Sequence, residues 1–152
     1  MNNKQIVRQL NVYYYGYMVL ALLTAVGIYL LLTKAGVAVI DPQSQSGVIM
    51  QYFLIATALV CIPFGMYSFK RKCRRIRTVE DTDQRQALYT QAARIRIVLV
   101  GNTLPIGVGF YYLMGGYQSM LWLAAIAAIA LYFCKPTERK IDLELLPDDD
   151  SY

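Results

Sequence analysis

The chain has no histidine. That removes histidine-ligated haem, most zinc and copper sites, and histidine acid–base catalysis. Cysteine is scarce, with Cys61, Cys73 and Cys134 alone, and no two have the Cys-x-x-Cys spacing of a metal or redox site. The topology argued below puts all three at or near the cytoplasmic side, where thiols stay reduced, so they are read as packing residues. Charge is sparse too: 16% of the 152 residues are charged and 57% are hydrophobic, against roughly a quarter charged in a soluble domain. No phosphate-binding glycine loop, serine-elbow pentapeptide or metal motif occurs. Gly107-Val108-Gly109 lacks a third glycine at the dinucleotide spacing and reads as packing. The expectation is a protein that is not an enzyme, with no catalytic residue, no metal ligand and no cofactor.

What the chain does have is apolar residues in blocks. Four of them are long enough to be membrane spans, since about 20 residues at 1.5 Å each cross a hydrocarbon layer ~30 Å thick. The first runs from about Val12 to Leu32 and is longer than a secretory signal core, so it is read as a span. A polar connection with the turn signal Asp41-Pro42 follows, and the Val37–Ile40 run is expected to dip into the interface. The second span covers about Val48 to Phe69, and its Pro63 is expected to kink it or free the carbonyl of Leu59. The third covers about Ile97 to Met114, Gly115-Gly116 makes a tight turn, and the fourth covers about Tyr117 to Phe133, ended by Lys135-Pro136.

Between the second and third spans lies the most basic stretch. Nine lysines and arginines face three acids there, and Asp83–Arg96 is predicted to be a helix running unbroken into the third span. Cations near span ends stay in the cytoplasm. Fourteen lysines and arginines fall on one side of a four-span arrangement and Lys34 alone on the other. Charge bias and hydropathy therefore agree on an even number of spans. Tyr13, Tyr14, Tyr15 and Tyr17 at one boundary, with Tyr111, Tyr112 and Tyr117 at the other, match aromatic belts.

The expected fold class is thus an all-α integral membrane protein: four transmembrane helices in a compact bundle of two helical hairpins, N-in and C-in. Residues 1–11 form the cytoplasmic N-terminus, 12–69 the first hairpin, 70–96 a basic, partly helical cytoplasmic loop, 97–134 the second hairpin, and 135–152 an acidic cytoplasmic tail. The localisation that follows is a bacterial inner membrane.

Three features carry the candidate sites. Gly101, Pro105 and Gly109 are four apart and line one face of the third span, with Asn102 and Thr103 supplying polar groups beside the break at Pro105. This is read either as a site or pathway in a broken helix, or as a kinked packing helix whose Asn102 bonds a neighbour. The alanine-rich fourth span, with its small-xxx-small pair Ala124 and Ala128, is expected to pack closely, with the Gly101–Gly109 face as one candidate partner. The cluster Lys70, Arg71, Lys72, Arg74, Arg75 and Arg77 reads as a topology determinant, a contact for anionic lipid headgroups, or a dock for an acidic partner. It lacks a nucleic-acid module, and no nucleic-acid partner is expected.

The tail is acidic through Asp148, Asp149 and Asp150, and Ile141, Leu143 and Leu145 alternate with Asp142 and Glu144. It has three readings: a strand that adds to a partner's sheet, a disordered tail, or a segment folded back on the basic loop. No ionisable residue lies between the span ends, which argues against proton-coupled transport. The leading expectation is a non-catalytic accessory, assembly or scaffolding protein working through protein partners and membrane lipids. The runner-up is a small homo-oligomeric channel or transporter with its site at the broken third helix.

Overall fold

The computed structural model describes residues 3–36 and 39–145, and these are helical throughout apart from short connections. Val37 and Ala38 of the expected interfacial dip, and the acids Asp148, Asp149 and Asp150, lie outside the described residues. The five helices are α1 (Asn3–Lys34), α2 (Gln45–Arg77), α3 (Thr82–Leu113), α4 (Gln118–Phe133) and α5 (Glu138–Leu145).

Helices α1, α2 and α3 have 32, 33 and 32 residues. At 1.5 Å per residue each is about 48 Å long, well beyond a ~30 Å apolar layer. The apolar stretches therefore continue without a break into their charged flanks. As expected, the segment from Asp83 to Arg96 is helical and continuous with the third apolar stretch. Less expected, Lys70 to Arg77 form the last two turns of α2, and residues 78–81 are all that connects it to α3. Asp81 caps α3 by accepting from the Asp83 amide at 3.1 Å, and Thr78 Oγ1 donates to Arg75 O at 2.7 Å.

These three helices are long and apolar enough to cross a membrane. Helix α4, with 16 residues, reaches spanning length only together with α5, across a bend of 70°.

Helix α3 is the centre of the molecule. In its most apolar stretch 44% of residues are buried, against 6% in α1 and 11% in α2. It packs along α1, α4 and α2, whereas α1 and α2 make no extended contact with each other. The expected first hairpin is therefore open: both of its arms rest on α3.

Small residues make this possible. Apolar burial gives little drive to helix association in lipid, so close backbone approach must supply the contact. A Cβ on Gly101 would stand 2.8 Å from the Tyr17 ring of α1, and one on Gly109 would stand 3.1 Å from Ile28. On another side of α3 a Cβ at Gly107 would meet the Ala124 backbone of α4 at 3.2 Å. The Gly101–Gly109 face thus receives α1, not α4, for which it was one candidate partner. Alanine-rich α4 takes Gly107, which lies about 120° round the helix from Gly101 and about 160° from Gly109. Gly65 of α2 sits against Leu99 and Val100.

At the far end Gly115 and Gly116 take φ of 66° and 84°, a region L side chains rarely adopt. Their amides donate to Tyr112 O at 3.1 Å and Tyr111 O at 2.9 Å, closing the end of α3. The Ile40 amide donates to Leu113 O at 2.8 Å, which ties the α1–α2 connection to the same turn.

Gly101→Ala tests the seating of α1. The added methyl has no room against Tyr17, and the expected cost is about 1–3 kcal/mol, read as a lower thermal unfolding midpoint in detergent. Gly16→Ala is the control: it lies on α1 with nothing within 4 Å and should leave the midpoint unchanged or slightly raised. Equal midpoints for the two variants would contradict this packing.

Candidate functional site

Polar chemistry concentrates where α2, α3 and α5 meet, at the basic end. The face of α3 formed by Tyr89, Ala93, Arg96, Ile97 and Val100 is buried, and its three- and four-residue spacing is that of a packed helix stripe. Arg96 therefore falls inside an apolar stripe. It is 7% exposed, and its guanidinium carbon lies 3.7 Å from the centroid of the Phe69 ring of α2. Its Nη1 is 3.9 Å from Glu144 Oε1 of α5, while its Nε is buried without a partner.

Glu144 is the counter-charge at the centre of the site. The Tyr89 hydroxyl donates to its Oε2. Its backbone carbonyl accepts from Arg77 Nε at 2.9 Å, and Leu143 O accepts from Arg77 Nη2 at 3.3 Å. Arg77 thereby satisfies the last carbonyls of α5, the end of a helix where a cation is favoured. Asn3 at the start of α1 donates to Asp142 Oδ1 at 2.5 Å, and Ile141 is fully buried. The tail thus folds back on the basic segment as a helix. This corrects the strand reading: Ile141 and Leu145 pack one turn apart while Leu143 is 57% exposed, so the three do not share a face.

Around this contact is an open groove of about 680 Å³. Among the described residues, Lys70, Arg74, Arg77 and Arg96 line it with one carboxylate, Glu144. Toward the apolar part of α2 its wall is Pro63, Met66, Tyr67 and Phe69. Its thiol is that of Cys73, pushed up to about 11, first by burial and then by the Glu144 charge, with Arg96 and Arg77 pulling the other way. Burial and Glu144 likewise push the Tyr89 hydroxyl far above the usual phenol range. Such groups are poor nucleophiles near neutral pH. What the groove has to offer is fixed positive charge next to an apolar wall.

Of the basic cluster read from the sequence, the structure brings Lys70, Arg74 and Arg77 to this groove and turns Arg71, Lys72 and Arg75 to the other flank of α2. Arg96 and Glu144 were not singled out by sequence reasoning. The signal for Arg96 was its seven-residue spacing from Tyr89. The signal for Glu144 was its place three residues after Ile141.

The second group of candidate residues is split. Gly101, Pro105 and Gly109 are buried on the α1 side, and Thr103 is buried with its hydroxyl on Leu99 O at 3.4 Å. Asn102 points outward. At 100° per residue it lies between the Gly101 face against α1 and Leu99 against α2, in an exposed strip with Ile95, Val98 and Ile106. Hydroxyls elsewhere in the apolar stretches bond their own helix: Thr24 donates to Leu20 O at 2.8 Å and Thr57 to Phe53 O at 2.7 Å. Among the described residues the Asn102 carboxamide has no such partner.

Cys73 gives a direct test. Its folded value exceeds its ordinary 9.0, so the stability gained from a buried neutral thiol is complete below about pH 9 and drains away as pH rises through about 11. In the folded protein Cys73 should resist iodoacetamide at pH 8, as followed by peptide-resolved mass spectrometry. Glu144→Gln removes a neighbouring negative charge and should raise the labelling rate severalfold. An unchanged rate would break the link between the two residues.

No protein-family model, curated protein or solved structure matches this chain.

Proposed function

We propose that this chain is a four-span protein of a bacterial inner membrane, with both ends and the basic segment in the cytoplasm, and that it acts without catalysis as an accessory, assembly or scaffolding subunit. The partner contact is a transmembrane helix of another protein, received in the cleft between α1 and α2.

The observation that carries this reading is Asn102. An amide facing hydrocarbon without a hydrogen bond costs several kcal/mol. A neighbouring helix with a polar side chain removes that cost, and interhelical bonds of this kind stabilise association by about 1 kcal/mol. The strip around Asn102 is open because α1 and α2 stand apart. The fourth span in this reading is α4, with Tyr117 at one end and Tyr132 and Phe133 at the other. The opposed reading, a homo-oligomeric channel, loses its pathway within one chain. The Gly101–Gly109 face is filled by Tyr17, Thr24 and Ile28.

Two measurements test this. Reporter fusions after Arg77 should read as cytoplasmic and fusions after Gly115 as external; the reverse pattern, or the same side for both, would sink the four-span topology. A photo-cross-linker at Val98 or Ile106, in native membranes, should give one adduct with a second protein. Asn102→Leu should cut its yield roughly fivefold, the equivalent of about 1 kcal/mol. Self-adducts alone would move the assignment to a homo-oligomer, and lipid adducts alone would remove the partner.

A further inference from the structure

The groove between α2, α3 and α5 is a different kind of site from the cleft at Asn102. Among the described residues four cations and one carboxylate line it, and of the four Arg96 pairs with that carboxylate. Lys70 and Arg74 are exposed and have no hydrogen bond or ion pair among the described residues. Arg96 is different: its side chain is 8% exposed, it lines the same groove, and its Nε is buried with nothing to donate to. A buried cationic donor left open at the floor of a net-positive groove is a site short of an acceptor.

Charge alone does not choose the occupant; the walls do. One end of the groove is cationic, and the wall that continues along α2 is Pro63, Met66, Tyr67 and Phe69. Those residues belong to the apolar stretch of α2, while Lys70 begins its charged end. Cations at one end and an apolar wall at the other fit an amphiphile whose phosphate sits among Lys70, Arg74 and Arg96 and whose acyl chain lies along α2. A soluble phosphate would use the cations and leave the wall unused. An acidic peptide would meet the same objection.

We propose that this groove is a binding site for the headgroup of an anionic phospholipid, and that Glu144 is its built-in competitor. Among the described residues Glu144 holds the only negative side chain lining the groove, and it pairs with Arg96, so a lipid phosphate and the tail helix contend for that arginine. The proposal rests on the membrane reading but not on any protein partner, since the groove is complete in one chain.

The test is a lipid titration of the purified full-length protein in detergent, with retained lipid counted by native mass spectrometry. The probes are dioleoyl phosphatidylglycerol, dioleoyl phosphatidylcholine and inorganic phosphate. Phosphatidylglycerol should be held at one tight site and phosphatidylcholine at least about tenfold more weakly. The exposed pair Lys70→Gln with Arg74→Gln should weaken phosphatidylglycerol roughly thirtyfold, about fivefold for each cation, and leave phosphatidylcholine unchanged. Glu144→Gln keeps an acceptor for Tyr89 and should tighten phosphatidylglycerol severalfold.

The control pair Lys4→Gln with Arg8→Gln, which removes equal charge from α1, should change nothing. Three results would overturn the proposal: the control pair weakening the lipid as much as the groove pair, Glu144→Gln weakening it, or millimolar inorganic phosphate displacing it fully. A chain that keeps no lipid of either class, yet stays monodisperse without detergent, would instead overturn the membrane reading, so the two failures are distinct.

Discussion

Everything in this molecule hangs on the position of α3 between three other helices. In an apolar surrounding, burying leucine against leucine exchanges one hydrocarbon contact for another. Helices then hold together where backbones come close, and α3 offers small residues on separate faces: Gly101 and Gly109 for α1, and Gly107 for α4. Gly65 offers the same from the α2 side. Bulk is excluded from these contacts because the helices are already at touching distance. The remaining surfaces of α1 and α2, such as Leu22, Leu23, Tyr52 and Phe53, are exposed and apolar, as a lipid-facing surface must be.

The basic end follows other rules. There Ile6, Leu10, Tyr89, Ile97, Leu131 and Ile141 are almost completely buried in one cluster, and large side chains replace small ones. That is how a core is built by apolar burial. The change of packing style along α3, from glycines to tyrosine and isoleucine, coincides with the onset of lysine and arginine on α2. Helix α5 belongs to this basic end. Its eight residues are too few to be stable alone, and it exists because Ile141 is buried and Arg77 holds its last carbonyls.

Much of this was legible in the sequence, for definable reasons. Block hydropathy marks long apolar helices without reference to contacts, so α1, α2 and α3 were readable. The absence of glycine and proline from Asp83 to Arg96 was enough to join that segment to α3. Opposite charge made a tail folded onto the basic segment one of the readings, although not as a helix. Ile141, Leu143 and Leu145 have period two over a window too short to exclude the helical pair of Ile141 and Leu145. Partner choice was not legible. Small-residue spacing says that a face packs closely, but the same spacing on Gly101–Gly109 fits α1 or α4 equally well. The burial of Arg96 was hidden because a cation beside eight others reads as one more surface charge.

The two polar features of the molecule lie on opposite flanks of α2. Asn102 lies on the side of α3 that opens between α1 and α2, about 120° around the helix from Arg96, which faces the groove with α5. Between them α2 touches α3 through Gly65, against Leu99 and Val100, and Phe69, against Tyr89 and Arg96. The helix also rests on α4 and α5, and Pro63 interrupts its hydrogen bonds close to Gly65. Whatever occupies the groove presses α2 from one flank, and whatever occupies the cleft presses it from the other. Coupling between a lipid site and a partner site needs an element that both sites touch, and in this fold α2 is the helix that borders both.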